Sequence, residues 1–71
     1  MKLRLKELRQ ENNYTQKNIA DYLNIKQNTY SQYESGIREL PLLCLAKLSE
    51  LYKTSTDYIL GLTDYDFPYP R

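Results

Sequence analysis

Gln27, Asn28, Ser31 and Gln32 are three amides and a hydroxyl set around two tyrosines, Tyr30 and Tyr33, in the run QNTYSQYE. An amide holds a donor and an acceptor side by side, so it can bond two atoms of one base edge in the major groove of DNA. A hydroxyl can add a bond of either sense. Cations would grip the phosphates of any sequence alike, whereas these uncharged groups can discriminate between bases. By composition alone Gln27, Asn28 and Gln32 also suit an ordinary solvated helix face, and their placement in the chain is what favours DNA.

A reading face needs elements that hold it, and the preceding residues supply them. Ile19, Ala20 and Leu23 fall on one helical stripe, and Thr15 can cap its start. Asn24 tolerates a left-handed turn, after which Ile25 can point back inward. Tyr30 and Tyr33 then resume an apolar stripe and read as core tyrosines rather than stacking platforms. The spacing predicts helices over 16–23 and 27 to about 34, with the amides opposite the core, as a recognition helix requires. A first helix is expected over 2–12, with Leu5, Leu8 and Met1 inward, Leu3 more exposed, and Asn12 and Asn13 ending it. Gly36 suits a helix exit. Pro41 opens a helix over 42–52 with Leu45, Leu48 and Leu51 in the core, and Ser55 caps a last one to about Leu60, closed by Gly61, with Tyr58 or Ile59 facing the body. Tyr14, Tyr22 and Tyr52 fit either environment. The fold class is all-α, a compact five-helix domain over residues 1–61 followed by an extended tail over 62–71.

Composition narrows the chemistry. The 71 residues make one domain with one modest core. Histidine is absent and Cys44 is the single cysteine, so neither a zinc site nor an internal disulfide is expected. No cofactor motif, nucleophile and base, or glycine-rich phosphate loop is present, which argues against an enzyme or a small-molecule substrate. No apolar run approaches a membrane span and the charged opening MKLRLKELR lacks a secretion signal, so the expected location is the cytoplasm. The formal charge is +1, but residues 1–40 hold seven Lys or Arg against five Asp or Glu, and residues 41–71 hold three against four. The basic excess therefore lies with the reading unit. Lys17, Lys26 and Arg38 are candidate phosphate contacts, and so small a charge calls for close docking and two copies of the domain. Unstacked RNA is a poorer fit, because no basic and aromatic surface accompanies the amides.

LKELR at 5–9, YTQKNIADYLNI at 14–25, NTYSQYESG at 28–36 and SELYKTSTDYILG at 49–61, in that order and spacing, resemble the lambda-repressor-like family of helix-turn-helix regulators, also called the Cro/C1 or XRE type. The resemblance runs from about Leu5 to Gly61. It implies a five-helix bundle whose third helix enters the major groove, with Gln27, Asn28 and Gln32 at base edges, assisted by Ser31 and Lys26. Gln16 resembles the residue that bonds a phosphate and braces the first reading glutamine. Ser35, Ile37 and Arg38 resemble the exit loop that follows the neighbouring backbone, through a main-chain N–H or a cation. Arg9 and Glu34 match a structural ion pair between the first and third helices.

Three positions depart from the family pattern. Asn24 replaces the usual turn glycine, Lys26 replaces a capping Ser or Thr, and Asn18 stands where a capping-box Glu is common, so reciprocal capping is expected to be weak. The resemblance implies sequence-specific binding of double-stranded DNA by a transcriptional regulator, most simply a repressor at a palindromic operator. An activator or an antitoxin-like subunit with a regulatory protein partner would use the same contacts. A protein-interaction module is the rival from a different class. A weak homodimer strengthened by operator DNA is expected, with the exposed apolar residues of the last helix and the run from Tyr65 to Tyr69 as its surface, although that run is almost as well suited to packing back on its own domain. No substantial effector pocket is expected in these 71 residues.

Overall fold

The apolar spacings become five α-helices in the computed structural model, which describes residues 3–64: α1 (Leu5–Glu11), α2 (Gln16–Leu23), α3 (Gln27–Ser35), α4 (Leu42–Tyr52) and α5 (Thr56–Ile59). Each sends one stripe inward. Leu5 and Leu8, Ile19, Ala20 and Leu23, Tyr30 and Tyr33, Leu45 and Leu48, and Ile59 form one continuous buried core. The expected inward position of Met1 and the expected tail surface from Tyr65 to Tyr69 lie outside the described residues. Leu51 packs at the core margin rather than inside it. Of the tyrosines that fitted either side, Tyr14 and Tyr52 meet at its edge with ring centroids 6.3 Å apart. Tyr22 stays exposed, but its hydroxyl donates to the Lys47 carbonyl at 2.9 Å and ties α2 to α4.

Leu3 departs from expectation. The first helix begins at Leu5 with Arg4 as its N-cap, so Leu3 sits outside the helical period and packs against the core instead of facing solvent. Tertiary contacts draw it there. The Arg4 N–H donates to the Ile59 carbonyl at 2.9 Å, its Nε donates to the Tyr58 carbonyl at 2.8 Å, and its guanidinium lies 4.4 Å from the centre of the Tyr58 ring. One Nη reaches both the Thr63 carbonyl and the Asp64 carboxylate at 3.1 Å. Arg4 thereby fastens both ends of the described chain together, a role that no local pattern announced.

All five helices stop the same way. Asn13, Asn24, Gly36, Lys53 and Gly61 each adopt positive φ just past a helix. Each donates its N–H to the carbonyl three residues back, and the following N–H reaches the carbonyl five residues before it, the two bonds of a Schellman ending. Asparagine and glycine tolerate this geometry, but Lys53 at φ 53° does not do so readily. A left-handed non-glycine residue costs roughly 1–2 kcal/mol, which glycine's extra unfolded-state entropy partly offsets. Lys53→Gly is therefore expected to raise stability by about 0.5–1 kcal/mol, and Lys53→Val to lower it, as read from urea midpoints.

Candidate nucleic-acid interface

Two helices and one turn position the reading face, beginning with a capped start. Thr15 Oγ1 accepts the Asn18 N–H at 3.0 Å, and Asn18 Oδ1 accepts the Thr15 N–H at 2.8 Å. The reciprocal box is thus complete, and the expected weakness at Asn18 does not hold: a shorter amide reaches the same N–H that a glutamate would. Ile19, Ala20 and Leu23 bury the inner face of α2. Asn24 then takes φ 58° and ψ 46°, and the Ile25 N–H bonds the Ala20 carbonyl at 2.9 Å, turning Ile25 back onto the core. Lys26 stands at the N-cap of α3 with no side-chain cap bond, as its ammonium dictates.

Along α3, at about 100° per residue, Gln27, Ser31, Ser35, Asn28 and Gln32 fall within about 140° of arc. Gln27 and Asn28 are exposed, and Ser31 and Gln32 are half-buried. No side-chain hydrogen bond to another described residue engages any of these four, so their donors and acceptors face outward unspoken for. The opposite side carries Tyr30 and Tyr33, enclosed in the core, with Thr29 beside them. Those two rings hold the helix at a fixed height and leave its polar face outward.

The candidate phosphate contacts surround that face unequally. Lys26 lies exposed at the amino end of α3, and Arg38 lies exposed just past its carboxy end, so the two bracket it. Lys17, by contrast, is paired with Asp21 one turn along α2 at 3.2 Å. Ser35 is exposed and donates to the Gln32 carbonyl at 3.2 Å. Ile37 is 78% exposed, but its N–H and that of Arg38 both donate to the Gln32 carbonyl, at 3.1 and 3.2 Å. In the free domain those two N–H groups therefore close α3, leaving the Arg38 guanidinium as the outward donor there. Gln16 is also engaged. Its Nε2 donates to Glu34 Oε1 at 3.1 Å rather than to Gln27.

Glu34 is the one charged residue of α3, and it points inward. Arg9 Nε donates to Glu34 Oε2 at 2.7 Å, Arg9 Nη2 to Oε1 at 3.2 Å and Arg9 Nη1 to the Tyr14 carbonyl at 3.1 Å. The two side chains are only 12% and 6% exposed. Burial pushes the Glu34 carboxyl up, but hydrogen bonds from Arg9 and Gln16 and the guanidinium charge outweigh it, and the group ends below its usual value. The hydrogen bonds to Glu34 raise Arg9 in turn. Burial and the adjacent Glu34 carboxylate push Tyr30 far up, and burial raises Tyr52, so both remain neutral phenols. The network neutralises the reading helix's acid and keeps its outer face free of negative charge.

The chain matches the helix-turn-helix family over residues 5–59. It is 53% identical over 58 residues to the HTH-type transcriptional regulator ImmR of Bacillus subtilis (strain 168), covering 82% of this chain and 46% of that protein. It is 45% identical over 58 residues to the HTH-type transcriptional regulator AnsR of the same organism, covering 82% of this chain and 50% of the relative. A prophage-derived uncharacterized HTH-type regulator, YonR, is 41% identical over 64 residues, with 90% and 59% covered. The chain thus spans about half the length of the curated relatives it matches. No solved structure is a significant match. With all five helices, the turn and the internal ion pair in place, the chain belongs to the lambda-repressor-like, Cro/C1 or XRE type, helix-turn-helix family.

Proposed function

We propose that this chain is a sequence-specific reader of double-stranded DNA acting in transcription regulation, with α3 in the major groove. The observation that carries the reading is the outer face of α3: Gln27, Asn28, Ser31 and Gln32 are all uncharged, with side chains free of bonds to other described residues, on a helix pinned by two core tyrosines. Gln27, Asn28 and Gln32 meet base edges and Ser31 assists them. Lys26 and Arg38, with Gln16, Lys17, Ser35 and Ile37 around them, meet the flanking backbone. Repression by occupying an operator is the simplest regulatory consequence. Among the described residues no helix is long and apolar enough to cross a membrane. Selection from random duplexes followed by footprinting tests the reading. A preferred duplex whose affinity falls steeply with salt supports it, and binding indifferent to both DNA sequence and salt would transfer the amide face to a protein partner.

The phosphate assignment has its own signature. Lys26→Gln and Arg38→Gln are each expected to weaken operator and random DNA by similar factors and to lower the slope of log affinity against log salt by about one. Lys17→Gln should do less, because Asp21 already holds the ammonium. Asp21→Asn should strengthen binding by freeing it. An unchanged slope removes that residue from the set.

Two domains on one duplex account for useful affinity at so low a net charge. A two-fold pair places its reading helices about 34–36 Å apart and implies a palindromic site. The last helix exposes no apolar side chain, so Leu62 just after α5 and Leu42 and Leu43 at the start of α4 are the exposed apolar side chains available to such a contact. Sedimentation with the selected duplex is expected to show two chains per site, with dimerisation tighter on DNA than off it. A one-to-one complex on every selected site rules this arrangement out.

A further inference from the structure

We infer that Glu34 is a positioning residue for DNA contact: it fixes the Gln16 amide at the amino end of α2 with one N–H left for a backbone phosphate, an inference that rests on the DNA reading above. A glutamine amide nitrogen carries two hydrogens. One of them is committed to Glu34 Oε1 at 3.1 Å. That same oxygen takes Arg9 Nη2, while Oε2 takes Arg9 Nε, so the carboxylate cannot turn away without breaking a two-pronged ion pair. Its side chain is 6% exposed, which denies water as a substitute partner.

The third prong of Arg9 sets the start of the same helix. Arg9 Nη1 holds the Tyr14 carbonyl, immediately before the Thr15 cap. One guanidinium therefore references both the beginning of α2 and, through Glu34, the side chain of its first residue. Thr15 caps the Asn18 N–H, and the N–H groups of Gln16 and Lys17 remain open at the positive end of the helix dipole. A phosphate attracted there meets an amide that is already ordered. Ordering a free side chain of this length on binding weakens association by about 2- to 12-fold, and this arrangement removes that factor.

The test uses the selected duplex with single phosphates replaced by neutral methylphosphonates. One replacement is expected to weaken wild-type binding about tenfold and to have no effect on Gln16→Ala, which identifies the phosphate Gln16 meets. In the double variant Arg9→Met with Glu34→Leu, shown folded by near-ultraviolet circular dichroism, that same replacement should lose most of its effect while Gln16 is still present. A full tenfold effect in the folded double variant overturns the inference and leaves the DNA reading standing. Failure to select any duplex overturns both. Should the double variant not fold, side-chain relaxation of the free wild-type protein decides: the Gln16 amide is expected to be rigid and its resonances to move as Glu34 is protonated in acid. An order parameter below about 0.6 with no such movement overturns the proposal.

Discussion

Glu34→Ala is expected to lower the free energy of unfolding by about 3–5 kcal/mol, a large share of the roughly 5–15 kcal/mol available to a folded domain. The variant leaves Arg9 at 12% exposure without its carboxylate, and it also strips Gln16 of its acceptor. Arg9→Met should cost a similar amount by stranding Glu34. The two changes should not add, because the penalty in each single variant comes from the partner left behind; Arg9→Met with Glu34→Leu is expected to be milder than either. Urea unfolding of wild type, Arg9→Met, Glu34→Leu and the double variant gives the coupling, and a coupling near zero would place both charges effectively in solvent. The sign of the pH effect follows from the lowered carboxyl. Glu34 in the folded chain titrates below its ordinary value of 4.5, so its stabilisation is present above that value and disappears as pH falls through the lower folded one. Wild type is therefore expected to lose stability as pH falls below about 4.5, and the apolar double variant to lose less over the same window.

Gln27→Ala, Asn28→Ala and Gln32→Ala are each expected to weaken binding to the preferred duplex by about 1–3 kcal/mol, or roughly 5- to 150-fold, and to leave random DNA nearly unchanged. Stability should stay within about 0.5 kcal/mol, since these side chains make no internal hydrogen bonds with the described residues and point away from the core. Electrophoretic titration against the selected site, a single-base variant and random duplex separates the two outcomes. Equal losses on all three duplexes, with folding intact, would make these residues general contacts and remove sequence reading from α3.

Much of the frame was legible without coordinates, because it rests on local rules. The Ile19, Ala20 and Leu23 stripe, the Tyr30 and Tyr33 stripe, the Ser55 cap and the left-handed turns at Asn24 and Gly36 follow from helical period and backbone preference within a few residues. The outward amide face is a consequence of the same period. Asn18 is the local exception: capping weaker than a glutamate's was expected there, and the shorter amide closes the box. Lys17 and Asp21, four residues apart on one helix, carried a readable sign of pairing that its candidacy as a phosphate contact obscured.

What the residues determined by themselves is the set of helices, which face of each is apolar, and the uncharged polar surface of the third. Tertiary structure alone decided which distant groups share a partner. Arg4 meets residues more than fifty positions away, Leu3 is drawn inward by that clamp, and Gln16 and Arg9 converge on Glu34 across 18 and 25 residues. The Arg9 and Glu34 pair was nameable beforehand only through family resemblance, and the assignment of Gln16 to it was not. Periodicity states which way a side chain leaves its own helix, but a hydrogen bond between helices depends on their mutual distance and angle, which only the packed core establishes.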